Sequence, residues 1–221
     1  MPRETLTREH IVTVAIDLLD AEGLEGLNMR ALGRRLDSAA TAVYWHVGSK
    51  DNLIALAGDQ VWSEITLPDL DLVDWRTAAV AMATSVHAML IRHPWLLQAF
   101  GTFLMSGPGK ARHDDHLLAI YEAAGFTGAQ ADQAAASVFT FVLGNALGPA
   151  ANASLTRKLG GGSAAEKALL DTMTEASRLA AQFPRLRARL ETRKAHYGAA
   201  PDNTFQFGLA AVLDGLATRL T

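Results

Sequence analysis

Residues 27–53 read LNMRALGRRLDSAATAVYWHVGSKDNL. Asn28 is placed to cap a short helix, Met29 to Leu36, because its side-chain oxygen can accept from the free amides of a first turn. Asp37 and Ser38 then make a turn into a second short helix, Ala39 to His46. Gly48 breaks the chain, and Ser49 caps a longer helix from Lys50 through Leu53, Leu56 and Val61 towards Ile65. Two short helices across a tight turn make a helix-turn-helix.

Upstream, Thr7 caps a helix whose apolar face is Ile11, Ala15, Leu18 and Leu19, and Gly23 is its expected C-cap. Downstream, Pro68 and the acidic run Asp69 to Asp74 separate the fourth helix from the rest. Trp75, Ala79, Met82, Val86 and Met89 then repeat at the spacing of one buried helix face. Pro94 and Gly107-Pro108 punctuate the next segments. Thr127 with Gln130 predicts a capping box for a long apolar helix through Val138, Phe141 and Val142. Gly160, Gly161 and Gly162 fall in a loop. No stretch alternates apolar and polar residues long enough to suggest a sheet, so the fold class is all-α. A three-helix helix-turn-helix domain over residues 1–48 is joined to a larger helical domain over 49–221.

The 221 residues are 49% hydrophobic, enough for a sizeable core, and carry a formal charge of -3. Nucleic-acid contact therefore needs a local basic surface. Arg30, Arg34, Arg35 and Lys50 against Asp37 alone supply one between residues 28 and 50. The absence of cysteine excludes disulfides, thiolate nucleophiles and cysteine-held metals. Residues 1–10 hold charge and no apolar run of the kind a secretory signal needs, so the expected location is the cytoplasm. Gln133 to Thr156 is uncharged, but it contains Gln133, Ser137, Thr140, Asn145 and Pro149 and lacks flanking anchors on both sides. We read it as an interface helix and expect no membrane span.

The pattern from Leu27 to Leu32 and from Ala42 to Leu53 resembles the DNA-binding domain of TetR-family repressors. Tyr44-Trp45-His46-Val47 followed by Lys50 is its most diagnostic piece, and it resembles the tetracycline-repressor subgroup. Leu67-Pro68, Trp75, Gly101-Thr102, Gly125-Phe126, Leu143-Gly144 and the final helix from Phe205 to Leu220 extend the similarity over most of the chain. Asp37 stands where the family usually turns on glycine, and Ser38 where an apolar residue is common. Asp tolerates a left-handed backbone better than most residues, so the turn survives.

In a helix-turn-helix the second helix enters the major groove, which places Ala40, Thr41 and Ala42 against base edges. Arg30 is the candidate for guanine, whose two acceptors suit a guanidinium. The resemblance places Tyr44, Trp45 and Lys50 along the phosphates. An isolated aromatic pair is more often core. The motif turns at least one of the two outward and leaves Val43 and Val47 as the buried members. His46 reads as a packed or capping histidine, and Arg34 and Arg35 can be a solvated face.

The resemblance further implies a homodimer on double-stranded, near-palindromic operator DNA, joined through residues 127–148 and 202–220. The final helix carries Phe205, Leu209, Leu213, Leu216 and Leu220 on one stripe, for which a partner subunit is the expected cover, with burial inside one subunit the alternative.

Trp62, Met82, Val86, Met89, Phe100, Phe103 and Phe139 are candidate effector-binding residues. Each alone reads as core, and the family implies that some line a pocket. His87, Gln98, Thr102 and Asn145 are candidate polar contacts. Family members that hold a magnesium–drug complex use a histidine and a glutamate where Phe100 and Gly148 stand here. Neither binds metal, so the expected effector is a bulkier apolar or amphipathic compound, with no cofactor and no metal. His113 and His116, with Asp114 and Asp115, have ligand-like spacing but read as a solvated helix start.

The expectation is a non-enzymatic repressor released from DNA by a small effector. A helical ligand-binding protein that has lost specific DNA binding is the alternative. An enzyme is weighed against it, and no nucleophile–base arrangement or phosphate-binding glycine motif supports one.

Overall fold

The structure is a computed structural model that describes residues 6–158, 162–193 and 203–220. Among these residues there are helices and no strands. In order they are α1 (Arg8–Gly26), α2 (Met29–Arg35), α3 (Ala40–Val47), α4 (Lys50–Ser63), α5 (Trp75–Arg92), α6 (Trp95–Phe100), α7 (Pro108–Ala124), α8 (Ala129–Lys158), α9 (Gly162–Ala180), α10 (Pro184–Arg193) and α11 (Thr204–Ala217). They form two compact units, one of Met1–Ala150 with Leu209–Thr221 and one of Ala151–Gly208.

Three predicted caps form in the first unit. The Thr7 hydroxyl accepts from the His10 amide at 3.1 Å, Asn28 Oδ1 from Ala31 at 2.8 Å and Ser49 Oγ from Asn52 at 3.0 Å. Each satisfies an amide that the first turn of a helix otherwise leaves unpaired. Gly23 does leave helical geometry, at φ 71° and ψ −176°, but the chain resumes helical turns as far as Gly26, so the glycine kinks α1 rather than ending it. Ile11, Ala15, Leu18 and Leu19 are buried as expected, together with Leu27, Leu32, Val43, Val47, Leu53 and Ile54.

Asp20 ties α1 to the start of α6. Its carboxylate lies 2.8 Å from His93 Nδ1 and accepts from Trp95 Nε1 at 2.8 Å. Helix α4 packs against α1, α3 and α7, most extensively against α7. Asp59 Oδ1 accepts from the Lys110 amide at 2.9 Å in the first turn of α7. Arg112 of α7 reaches back to the carbonyls of Ser63 and Ile65, at 3.0 and 3.2 Å. Gly109 permits the close approach, because a Cβ there would stand 2.5 Å from the Asp59 carbonyl oxygen and 3.0 Å from the Ser63 nitrogen.

Helix α5 begins at Asp74, whose carboxylate accepts from the amides of Arg76 and Thr77. It buries Ala79, Met82, Val86 and Met89, as their spacing predicts, whereas Trp75 in its first turn is half-buried. Helix α8 is long and apolar enough to cross a membrane by length and composition. Its residues Ala131, Ala134, Val138, Val142, Ala146 and Ala150 form one buried face. The capping box expected at Thr127 does not form. The Gln130 amide bonds the Thr127 carbonyl, and Gly128, at φ 51°, carries the chain into a helix that starts at Ala129.

On α11, Leu209 and Leu213 are buried by the chain itself. Within that first unit Arg76 of α5 bonds Asp214 and the Ala210 carbonyl of α11. The stripe therefore needs no partner to cover these two residues. Phe207 is 80% exposed. In the second unit α9 packs on α10, and Arg178 bonds Glu175 on α9. Gly160 and Gly161 of the expected loop, and Asp202, lie outside the described residues, and Gly162 opens α9.

Candidate DNA-reading surface and effector pocket

The turn between α2 and α3 is set by two residues. Asp37 takes a left-handed backbone, φ 45°, as its side chain permits. At Gly33 a Cβ would stand 2.7 Å from the Ser38 carbonyl oxygen and 3.3 Å from the Ala40 nitrogen. Only a hydrogen fits there, so this glycine fixes how closely the second short helix approaches the first. Its role was not visible in the sequence, because the clash is with a backbone atom five residues away.

On α3, Val43 and Val47 point into the core and Tyr44 and Trp45 point out, 46% and 82% exposed. Both aromatics are therefore on the surface, one more than the motif alone required. Thr41 is exposed at the start of the helix, and Ala40 and Ala42 are half-buried beside it. His46 is half-buried and meets the Trp45 ring edge-on, with centroids 4.8 Å apart.

Arg30 and Arg34 are exposed and in no ion pair among the described residues, whereas Arg35 pairs with Glu22 at 2.9 Å. Lys50 Nζ donates to the Leu24 carbonyl at 3.2 Å, which anchors its charge at the junction of α1 and α4 and leaves its other N–H bonds available.

The effector candidates are brought together in part. The rings of Trp62, Phe100 and Phe139 meet at centroid distances of 6.3, 6.2 and 6.1 Å. Met82, Val86 and Phe139 line a small cavity of about 10 Å³ between α5, α7 and α8, together with Ala83, Val138, Val142, Leu117 and His113. A second, open pocket of about 220 Å³ lies between α7 and α8, lined by Lys110, Asp114, Leu117, Leu118, Asp132 and Phe139 among others. Trp62 and Phe100 meet the Phe139 ring but line neither of these two, and Met89 and Phe103 line neither as well. Of the polar candidates His87, Gln98, Thr102 and Asn145, none lines them either. Burial pushes the His87 pKa down.

Residues of α7 that the sequence did not single out for the effector complete the site. Lys110 Nζ lies 5.0 Å from the Trp62 ring centroid and 5.7 Å from that of Phe139. It pairs with Asp114. The Asp114 carboxyl is partly buried, which raises its pKa, but hydrogen bonds from His113 and Lys110 outweigh this and hold it below the usual range. His113 is not at a solvated helix start: it is 2% exposed, and its ring lies 4.5 Å from that of Trp62. The i, i+3 pair was visible in the sequence, but its burial comes from α4 lying across α7. No group of three or more metal-ligating residues occurs among the described residues.

A short helix pair presenting polar and aromatic side chains, carried on a larger helical body, is the architecture of a helix-turn-helix DNA-binding regulator. Residues 11–57 match the family of bacterial regulatory proteins described as tetR, and residues 67–220 match the tetracyclin repressor-like C-terminal domain. The chain belongs to the TetR family.

A helix-turn-helix transcriptional regulator of Saccharopolyspora erythraea is 36% identical over 140 residues, 63% of this chain and 59% of that protein. The match thus spans less than two thirds of that relative. The repressor DrrR1 of Streptomyces coeruleorubidus is 31% identical over 97% of this chain and 78% of its own length. The crystal structure of ActR of Streptomyces coelicolor in complex with (S)-DNPA superposes with a TM-score of 0.73 at 26% identity, covering 98% of this chain and 99% of that one.

Proposed function

We propose that this chain is a cytoplasmic, non-enzymatic repressor that binds a near-palindromic operator as a homodimer and leaves it when a small apolar or amphipathic effector enters the pocket between α5, α7 and α8. Residues 1–48 form the reading domain and 49–221 the effector-binding and dimerisation domain. The observation that carries the reading is the geometry of α3. Val43 and Val47 bury one side and leave Thr41, Tyr44 and Trp45 exposed, and Arg30 on the preceding helix is exposed and unpaired among the described residues. An aromatic exposed to this extent, in a domain that also exposes unpaired guanidiniums, is unfavourable for solubility alone and suits a phosphate and base surface.

Thr41, flanked by Ala40 and Ala42, meets base edges, and Arg30 contacts guanine. Tyr44, Trp45 and Lys50 position the protein on phosphates. The small side chains of Ala40 and Ala42 can touch little beyond thymine methyl groups, so Arg30 carries most of the direct readout. The dimer sets two copies of α3 roughly 34–36 Å apart, one helical turn of DNA. The exposed side of α8, with Ser137, Thr140, Gly144 and Leu147, and that of α11 with Phe207 are the surfaces for the partner. A repressor and a small-molecule complex among the relatives support repression and an effector.

Release follows from the join between α4 and α7. The pocket residues Lys110, His113 and Leu117 lie on α7, and α7 holds α4 through Asp59, Arg112 and the close contact at Gly109. A ligand that separates α7 from α8 displaces α4 and with it the reading helices. It acts by binding one spacing of the two reading domains better than the other.

The test is a salt-dependent titration of the purified chain on DNA from upstream of its own gene and on random DNA, with Arg30→Ala as control. Preferential binding at dimer stoichiometry, weakened by the substitution, is the expected result. Equal binding to both DNAs by both proteins contradicts it.

A further inference from the structure

Trp62 Nε1 and His113 Nε2 are buried with no hydrogen-bond partner. The two rings lie 4.5 Å apart, Trp62 fully buried and His113 nearly so. Polar groups left unpaired in a protein interior are unfavourable, and such groups mark a place where something else supplies the partner. What each group requires can be worked out.

An indole N–H only donates, so Trp62 requires an acceptor. His113 Nδ1 lies 3.1 Å from Asp114 Oδ1, and an ionised carboxylate only accepts, so Nδ1 carries a proton. In the neutral imidazole Nε2 is then a bare acceptor that requires a donor. A hydroxyl meets both demands at once, donating to His113 Nε2 and accepting from Trp62 Nε1. A carbonyl, an ether or a carboxylate meets only the first of the two residues' needs, that of Trp62.

The surroundings define the rest of the ligand. His113 borders the cavity of about 10 Å³, room for a single small polar group, whose other walls are apolar. Leu117 and Phe139 line both this cavity and the adjoining pocket of about 220 Å³, so they are the partition between them. Phe139 offers a ring face to an aromatic body. At the outer pocket Asp114 and Asp132 face a single cation, Lys110, already paired with Asp114. That balance disfavours an anion.

We propose that the effector is a neutral or cationic hydroxyl-bearing aromatic compound, its hydroxyl held between Trp62 Nε1 and His113 Nε2 and its ring system against Phe139 and Leu117. This rests on the effector reading above and names the chemistry of that site.

Calorimetric titrations of the full chain with 2-naphthol, naphthalene and 2-naphthoate test it. A site built to bond a hydroxyl rejects the analogue lacking it, so 2-naphthol binds about tenfold or more tighter than naphthalene. The naphthoate binds more weakly than the naphthol. Trp62→Phe and His113→Phe each reduce the preference for the hydroxyl to less than about threefold, since either leaves one of the two bonds unmade. Thermal melts establish that the variants fold, and if Trp62→Phe does not, His113→Phe decides.

Equal binding of naphthol and naphthalene, as a trapped water serving both groups would give, overturns the proposal. So does absence of naphthol binding, or a hydroxyl preference that survives in the folded variants. Anisotropy of a bound DNA duplex separates this from the regulatory reading. Naphthol that binds with the expected preference yet leaves DNA bound upholds the site and counts against release. Release by compounds without a hydroxyl, with no naphthol binding, does the reverse.

Discussion

Trp45 and Trp62 are the same residue type under opposite constraints. Trp45 is 82% exposed on α3, where its neighbours Val43 and Val47 take the buried positions. Trp62 is fully buried on α4, against His113, Phe100 and Phe139. The first contributes little to the fold and is available to a partner, while the second holds the α4–α7 junction together. The difference separates a surface kept open for a macromolecule from a core that has unmet polar demands inside it.

Substitution of the two tryptophans by alanine probes this contrast most strongly. Trp62→Ala is expected to cost about 3–5 kcal/mol of stability, as for a large buried aromatic. Trp45→Ala stays within about 0.5 kcal/mol of the wild type while weakening DNA binding. Denaturant titration and DNA anisotropy on both variants check the pair. Similar destabilisation by both removes the contrast.

Gly33→Val tests whether the reading surface depends on the close α2–α3 turn. The new side chain meets the Ser38 carbonyl, and such overpacking costs about 1–3 kcal/mol. DNA affinity then falls to the non-specific level, a loss on the order of 1,000-fold. The effector pocket, built from other helices, keeps its ligand affinity wherever the variant is folded.

Asp59→Ala addresses the join between the two regions. Loss of a side-chain acceptor at the first turn of α7 costs about 0.5–2 kcal/mol. Effector binding is retained and its ability to release DNA is reduced. An effect on DNA release equal to that in the wild type places the coupling elsewhere, with the Asp20–His93–Trp95 contact between α1 and α6 as the next candidate.

The smallest effect expected is a change in pH dependence. Hydrogen bonds from the Thr77 amide and hydroxyl, and from the Arg76 amide, hold the Asp74 carboxyl below its usual pKa. Its folded-state pKa is lower than its unfolded one, so its contribution is present above the unfolded value. It is lost as pH falls through the folded value. Asp74→Asn should flatten the acid limb of the stability curve and leave neutral pH little changed, as followed by urea midpoints between pH 2 and 7.

The reading region was legible because its determinants are local. Caps at Thr7, Asn28 and Ser49 each act on an amide three residues away, and the left-handed turn at Asp37 is a property of one residue. Gly33 escaped notice because its constraint is a backbone contact across the turn. The pocket was legible only by composition. Trp62, Met82, Val86, Phe100 and Phe139 do come together, but His113 and Lys110 join them through the packing of α4 on α7, which no spacing along the chain reveals. The stripe on α11 shows the same limit. Its periodicity predicts a buried face, but only the docked helix shows that Leu209 and Leu213 are covered within the chain.

The central claim is that residues 28–50 are the surface that DNA occupies. Hydrogen–deuterium exchange of the full chain, free and saturated with the upstream duplex, tests it most directly. The account predicts slowed exchange across 28–50. Unchanged exchange there in a chain fully bound to DNA would contradict it.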